Sequence, residues 1–131
     1  MRKLTKMENP EIVARNLSLE TYDKWQEEFW VLALDAKNRL LKAECVFKGT
    51  LTNVFVSPRE VFFFAIMNHA AAIVIGHNHP SGDTTPSKDD DKMTKNIVSA
   101  GRIMGIPVLE HIIVGDGYYS YMENDKLQGV E

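Results

Sequence analysis

The sequence predicts one α/β domain with a mixed β-sheet sandwiched by helices. Short apolar runs at residues 29–34 and 71–75 have the length and composition of strands covered on both faces. Two longer segments, which begin at Ser57 and Ser87, carry the capping residues and the apolar spacing of helices. After a first short helix the elements follow in the order βββαβαββ, and such alternation is typical of α/β domains.

Size and charge limit the kinds of protein that the chain can form. It has 131 residues, of which 44% are hydrophobic, and this is sufficient for one ordinary core. We expect a folded unit over residues 11–131 and a flexible N-terminus over residues 1–10. The formal net charge is −3, which gives no support to nucleic acid as the main partner, because phosphate binding requires a basic surface.

Cellular location follows from cysteine content and hydropathy. The single cysteine, Cys45, excludes a disulfide framework and a cysteine-rich zinc finger. No segment reaches the roughly 18 consecutive apolar residues of a membrane span. The basic residues at the N-terminus are not followed by the apolar segment of a secretory signal. These observations predict a cytoplasmic protein without a membrane partner.

The first half of the chain predicts a helix and a hairpin. Asn9 and Pro10 are the N-cap and first residue of a helix that runs from Glu11 to about residue 19. The apolar run 29–34 is the first strand. A turn at residues 35–38 joins it to a second strand at residues 39–48.

The second half predicts two helices and three strands. Ser57, Pro58 and Glu60 form the start and capping box of a helix whose apolar residues 61–68 predict deep burial. A further helix follows Ser87 and ends at Gly105 and Pro107. Strands are expected at residues 71–75, 108–114 and 118–122. The buried face of the helix after Ser87 should carry four residues at 4-3-4 spacing: Met93, Ile97, Ala100 and Met104.

Two histidines after the strand at residues 71–75 predict a metal site. His77 and His79 follow the carboxyl end of that strand, where open α/β sheets usually place their sites. Residues two apart in an extended chain project to the same side, and Pro80 favours an extended His79. Neutral imidazole is a favoured zinc ligand. A metal site is therefore a better interpretation of this pair than two solvated loop histidines.

Neighbouring residues shape this loop. Gly76 and Gly82 permit unusual backbone angles on either side of the histidines. Asn78 stands between the two histidines, and we interpret it as a turn former that bonds its own backbone.

A third ligand is expected from the acidic start of the helix after Ser87. Asp91 falls opposite the apolar face and should point to water. Asp89 and Asp90 lie on the two shoulders of that face, and periodicity does not choose between them. Asp90 is also the usual capping-box partner of an N-cap at Ser87, so a purely structural cap is the alternative interpretation.

A longer pattern resembles a known family. The run His77-Asn78-His79-Pro80-Ser81-Gly82-Asp83, followed by Pro86-Ser87 and Asp90, resembles the signature of the RadC family of JAMM (MPN-plus) domains. That signature has His-x-His, ten residues and then Asp, with Ser three positions before the Asp. The resemblance covers about residues 11–125 and includes further stretches at residues 34–39, 47–51, 58–60 and 111–115.

The resemblance implies a JAMM/cytidine-deaminase-like fold and a zinc enzyme. One zinc per chain would be bound by His77, His79 and Asp90, with a fourth position open. The implied activity is hydrolysis of peptide or isopeptide bonds, in which a metal-activated water attacks the carbonyl and a Glu is the general base. Family members usually carry an N-terminal helix-hairpin-helix region that is absent here, so we expect a piece of a longer protein or a short relative.

The family pattern also suggests the catalytic residues. Its Glu precedes the first buried strand, where Glu27 and Glu28 stand, and strand alternation lets only one of them face the site. The resemblance favours Glu27, and Glu44 is a weaker alternative. Ser87 is expected to hydrogen-bond the developing oxyanion or the water. We interpret His111 as a structural histidine in preference to a residue that supports the ligands.

Two other functions remain open at this point. One is a protein-interaction module that has the metal site without peptidase activity. The other is the DNA-repair-associated role that the family's name suggests, although no basic helix with interleaved aromatic residues supports it. A zinc nucleoside deaminase is disfavoured because it needs cysteine ligands, and only Cys45 exists. The expected partner is an unidentified protein or peptide substrate, and the oligomeric state is not predicted.

Overall fold

The computed structural model describes residues 6–20, 25–49 and 56–127. Within them the five strands form one mixed sheet in the order β2-β1-β3-β4-β5. β3 and β4 are parallel, and the other neighbouring pairs are antiparallel. The predicted α/β class is therefore confirmed. The elements in chain order are α1 (Pro10–Glu20), β1 (Glu27–Leu34), β2 (Leu40–Gly49), α2 (Pro58–Met67), β3 (Ala72–Asn78), α3 (Lys88–Met104), β4 (Val108–Gly115) and β5 (Gly117–Ser120).

Helices cover both faces of the sheet, as predicted. Successive residues of a strand point to opposite faces, so β1 contributes Leu32 to one core cluster and Val31 to the other. The cluster with Leu32 includes Leu17 of α1. The cluster with Val31 includes residues of α2 and α3, among them Phe64 and Ile97.

The beginning of the chain follows the sequence prediction with one difference. The Asn9 side chain caps α1 by accepting a hydrogen bond from the Ile12 amide at 2.9 Å. β1 and β2 form the expected antiparallel hairpin. The predicted order had three strands before the helix at Ser57, whereas the described residues contain two. Residues 50–55, between β2 and that helix, lie outside the described part of the chain.

α2 is buried on one face only, so the prediction of deep burial all round was wrong. Phe62 and Phe64 are 4% and 3% exposed, but Phe63 between them is 68% exposed. The helix lies against one face of the sheet, and helical geometry turns part of its apolar sequence towards solvent. Ser57 caps the helix, but its Oγ accepts from the Arg59 amide rather than forming the predicted box with Glu60.

α3 begins and ends where the sequence predicts. Ser87 is the N-cap, and Gly105 is the left-handed C-cap with φ 73°. Met93 and Ile97 are buried, but Met104 is 47% exposed, which corrects the predicted face at its last position. Gly101 occupies the end of the buried face instead, because a Cβ atom there would lie 2.5 Å from the Ile106 carbonyl oxygen.

No helix in the described parts of the chain combines the length and the apolar character needed to cross a membrane.

Candidate metal centre

Side chains from β1, β3 and α3, and from the loop after β3, converge where β1 begins and β3 ends. The ligand atoms of four of them all lie within 4.8 Å of one another: Glu27, His77, His79 and Asp90. His77 Nε2 lies 3.2 Å from His79 Nε2 and 3.2 Å from Asp90 Oδ1. His79 Nε2 lies 3.0 Å from Asp90 Oδ2. His77 Nε2 lies 3.6 Å from Glu27 Oε1. This group could hold a metal ion.

β3 brings the two histidines to this position. The strand continues past the apolar run to Asn78, three residues beyond the predicted end. His77 is therefore a strand residue, fully buried between β1 and β4. His79 follows directly, and its amide donates to the Val114 carbonyl of β4 at 2.9 Å. Because the chain stays extended here, the two imidazoles meet as the i, i+2 spacing predicts.

The loop fixes which nitrogen of His79 is free. His79 Nδ1 lies 2.7 Å from the carbonyl oxygen of Asp83. A carbonyl only accepts, so neutral His79 donates from Nδ1 and its Nε2 carries a lone pair. That lone pair faces His77 and Asp90. Gly82 allows this loop to turn with φ 90°, as its predicted conformational freedom requires.

A buried chain of hydrogen bonds fixes His77 in the same way. The Thr94 hydroxyl donates to the Asp90 carbonyl at 2.7 Å and lies 2.6 Å from His111 Nδ1. With its proton used, the hydroxyl accepts from His111 Nδ1, which leaves His111 Nε2 as an acceptor. His77 Nδ1 lies 2.8 Å from that Nε2 and donates to it. His77 Nε2 is then unprotonated and points into the cluster.

The donor set as a whole fits a cation. Two imidazole lone pairs and a carboxylate within about 3 Å of each other repel unless a cation or protons lie between them. Burial lowers the pKa of His77 and favours its neutral form. Burial also opposes the charged form of His79, but hydrogen bonding to Asp90 and Asp83 outweighs it and raises the pKa. Proton and metal ion compete for these positions.

Asp90 belongs both to the helix cap and to the cluster, two placements that the sequence left as alternatives. Ser87 and Asp90 form a complete capping box, with the Ser87 amide donating to Asp90 Oδ2 at 2.9 Å. The same carboxylate reaches both histidines. Burial raises the pKa of Asp90, but its contacts with the imidazoles of His77 and His79 lower it more, so it is an anion. The cap thus orients the carboxylate towards the cluster.

The neighbouring aspartates lie outside the cluster. Asp89 is exposed. Asp91 is half-exposed and accepts hydrogen bonds from the Tyr121 hydroxyl at 2.8 Å and from Lys126 at 3.3 Å.

β1 separates the two glutamates as strand alternation predicts. Glu27 points into the cluster, and burial raises its pKa to about 8, with His79 lowering the pKa and Asp90 raising it to smaller extents. Glu28 points to the other face, where it accepts from Trp30 Nε1 at 3.0 Å and pairs with Lys48 at 3.5 Å. Glu44 is exposed on β2 and is not part of the cluster.

Three residues near the histidines differ from their sequence interpretation. Asn78 is not a turn former, because it is buried at the end of β3 and bonds to Glu28 of β1 and to Gln26, the residue before β1. Gly76 does not adopt an unusual backbone angle but makes room for α1, since a Cβ atom there would lie 2.2 Å from Leu17 Cδ1. His111 is buried within hydrogen-bond distance of His77. These contacts join distant segments, and no local pattern encodes them.

Glu110 of β4 is a buried carboxyl group that lies outside the cluster. Its carboxylate is 3% exposed and accepts from the Ser120 hydroxyl and from the amides of His111 and Met122. It therefore joins β4 to the end of β5 and to the turn beyond it. Burial raises its pKa, and the three hydrogen bonds offset this only in part.

Fold and site together define a class: an α/β domain whose mixed sheet carries a His-x-His and Asp cluster that could hold a metal ion. A family model described as a RadC-like JAB domain matches residues 7–127. Since that match covers nearly the whole sequence, the chain belongs to the RadC-like JAB domain family, as its resemblance predicted.

Several relatives agree with this assignment. A UPF0758 protein of Symbiobacterium thermophilum is 51% identical over 104 residues, which are 79% of this chain and 44% of that protein. One from Pelobacter propionicus is 44% identical over 128 residues, or 97% of this chain and 56% of that protein. One from Staphylococcus aureus is 44% identical over 115 residues, which are 88% of this chain and 50% of that protein. The chain spans about half the length of these relatives.

Proposed function

We propose that this domain is a zinc-dependent hydrolase of peptide or isopeptide bonds, with His77, His79 and Asp90 as the zinc ligands. The observation that carries the proposal is the convergence of two Nε2 lone pairs and an anionic carboxylate beside the carboxyl group of Glu27. Imidazole and carboxylate donors suit zinc, and three protein ligands are the usual number in catalytic zinc sites.

Glu27 is the general base in this proposal. Its carboxylate is 5% exposed and lies beside the ligands, and in the metal-free chain burial raises its pKa to about 8. A bound cation lowers the pKa of a neighbouring carboxylate, so Glu27 in the zinc-loaded chain is ionised and accepts a proton near neutral pH. When bound, zinc supplies a Lewis acid that makes the attacking water more acidic. Glu27 Oε1 takes the proton of the water and delivers it to the leaving amine.

Ser87 stabilises the negative charge that develops on the carbonyl oxygen of the substrate. Its Oγ accepts from the Asp90 amide at 3.0 Å, and this bond leaves the hydroxyl proton available for donation. The side chain is exposed at the N-terminus of α3, where the helix dipole favours negative charge.

The experiment uses the zinc-loaded chain and a library of peptide and isopeptide substrates. Glu27→Gln should keep its zinc and lose about 10²–10⁴-fold in hydrolysis, because proton transfer is removed while the ligands remain. Glu28→Gln is the matched control and should retain activity, since Glu28 faces the opposite side of the sheet. His77→Ala should lose the zinc.

Two results would contradict the proposal. A wild-type chain that binds no zinc removes the metal site itself. A zinc-loaded chain that cleaves no member of the library, with Glu27→Gln indistinguishable from it, favours a metal-binding interaction module instead.

A further inference from the structure

The side chain of Asn78 holds the backbone on both sides of Glu27. Its Oδ1 accepts from the Glu28 amide at 2.6 Å, and its Nδ2 donates to the Gln26 carbonyl at 3.0 Å. Asn78 is the last residue of β3 and is 8% exposed. These two peptide groups meet at the Cα atom of Glu27, because one joins Gln26 to Glu27 and the other joins Glu27 to Glu28.

These bonds continue a strand pairing that has otherwise ended. β1 and β3 pair from Leu34 and Ala72 to Phe29 and His77, which is the last residue pair at this edge. Glu27 lies two residues beyond that pair. A carboxamide has the same donor and acceptor groups as a peptide unit. The Asn78 side chain therefore takes the place of the backbone partner that β3 no longer offers.

We propose that Asn78 is a positioning residue for Glu27, which rests on the proposed role of Glu27 as the base. By extending the β1–β3 ladder, it keeps Glu27 Oε1 at 3.6 Å from His77 Nε2. A misplacement of about 1 Å in a catalytic group can cost roughly 100-fold in rate. The His-x-His motif thus provides two ligands and, between them, the residue that aligns the base.

If the Asn78 side chain had only a structural role, the outcome would differ. Loss of its hydrogen bonds would lower the melting temperature of the chain but would leave Glu27 in place and the rate per zinc-loaded molecule unchanged. Asn68→Ala is the matched control. Asn68 is the C-cap of α2, and its side-chain amide donates to the Phe64 carbonyl of that helix, away from the cluster.

The test is a set of zinc-soaked crystal structures of the wild type, Asn78→Ala and Asn68→Ala. Steady-state kinetics are measured for each protein with a substrate from the library that the wild type cleaves. In Asn78→Ala the zinc content should be unchanged and Glu27 Oε1 should move by about 1 Å or more from its position beside His77. The turnover number kcat should fall about 100-fold with little change in KM, because the substrate contacts remain. Asn68→Ala should show neither effect.

The proposal is overturned if Glu27 stays within about 0.5 Å of its wild-type position and kcat matches that of Asn68→Ala. If Asn78→Ala does not fold, Asn78→Asp decides. The Asp side chain keeps an acceptor for the Glu28 amide but loses the donor to the Gln26 carbonyl. We expect Glu27 Oε1 to move in the same way as in Asn78→Ala, but by a smaller distance. If the wild type binds no zinc, the proposed hydrolase is contradicted. The positioning role is then tested by comparing the Glu27–His77 distance in metal-free crystals of the wild type and of Asn78→Ala.

Discussion

His77 Nδ1 lies 2.8 Å from His111 Nε2, and this contact makes a fully buried residue of β4 part of the candidate metal centre. Burial and the neighbouring His77 hold the pKa of His111 well below its ordinary value, so the ring is neutral. A neutral His111 that accepts from His77 leaves His77 Nε2 free to bind an ion. Such outer partners orient metal ligands and fix their tautomers.

We therefore expect His111→Ala to weaken zinc binding by about 10–100-fold, because His77 loses the acceptor that fixes its tautomer. Competition with a chromogenic zinc chelator measures the affinity. Thr94→Val should weaken binding in the same direction, since it removes the hydroxyl that accepts from His111. The matched control is His69→Ala, at an exposed histidine after α2. Equal affinities of His111→Ala and His69→Ala would contradict this role.

Glu110 should make the folded chain less stable as pH rises. Burial raises its pKa above the ordinary value of 4.5, so the folded state holds the proton over a pH range in which the unfolded state has released it. Its contribution is therefore most favourable below pH 4.5 and is lost as pH rises through the raised pKa.

Urea unfolding at a series of pH values measures this effect. The free energy of unfolding of Glu110→Gln should fall less steeply between pH 4.5 and neutrality than that of the wild type. Gln keeps an oxygen acceptor for the amides of His111 and Met122, and the Ser120 hydroxyl can reverse its role. Parallel pH profiles of the two proteins would disprove this contribution.

Gly76→Ala should destabilise the fold by about 1–3 kcal/mol through overpacking. The new methyl group would lie 2.2 Å from Leu17 Cδ1, so α1 must move away from β3. Thermal or urea unfolding measures the loss. In a double-mutant cycle, the added cost of Gly76→Ala should be smaller in a Leu17→Ala background, where the clash is absent. Strictly additive effects would show that Leu17 is not the cause.

Part of this cluster could be predicted from the sequence because it is local. The spacing of His77 and His79 in an extended chain brings their side chains together. Strand alternation correctly separated Glu27 from Glu28. Periodicity left Asp89 and Asp90 open, and only the family resemblance selected Asp90 and favoured Glu27.

Contacts between segments that are distant in the sequence could not be predicted from local patterns. Asn78 contacts residues about fifty positions earlier, and His111 contacts a histidine 34 positions away. Both depend on the order of strands in the sheet, which periodicity does not determine. The exposure of Phe63 has a similar origin, because an apolar sequence does not indicate how much of a helix the sheet will cover.

The most direct test of the account is calorimetric titration of the metal-free chain with zinc. We predict one zinc per chain for the wild type and for Glu27→Gln, and a loss of that binding in His77→Ala and Asp90→Ala. A crystal of the saturated protein should show the ion on His77, His79 and Asp90. Absence of binding by the folded wild-type chain, or unchanged binding by His77→Ala, would contradict the metal site on which the proposed hydrolase depends.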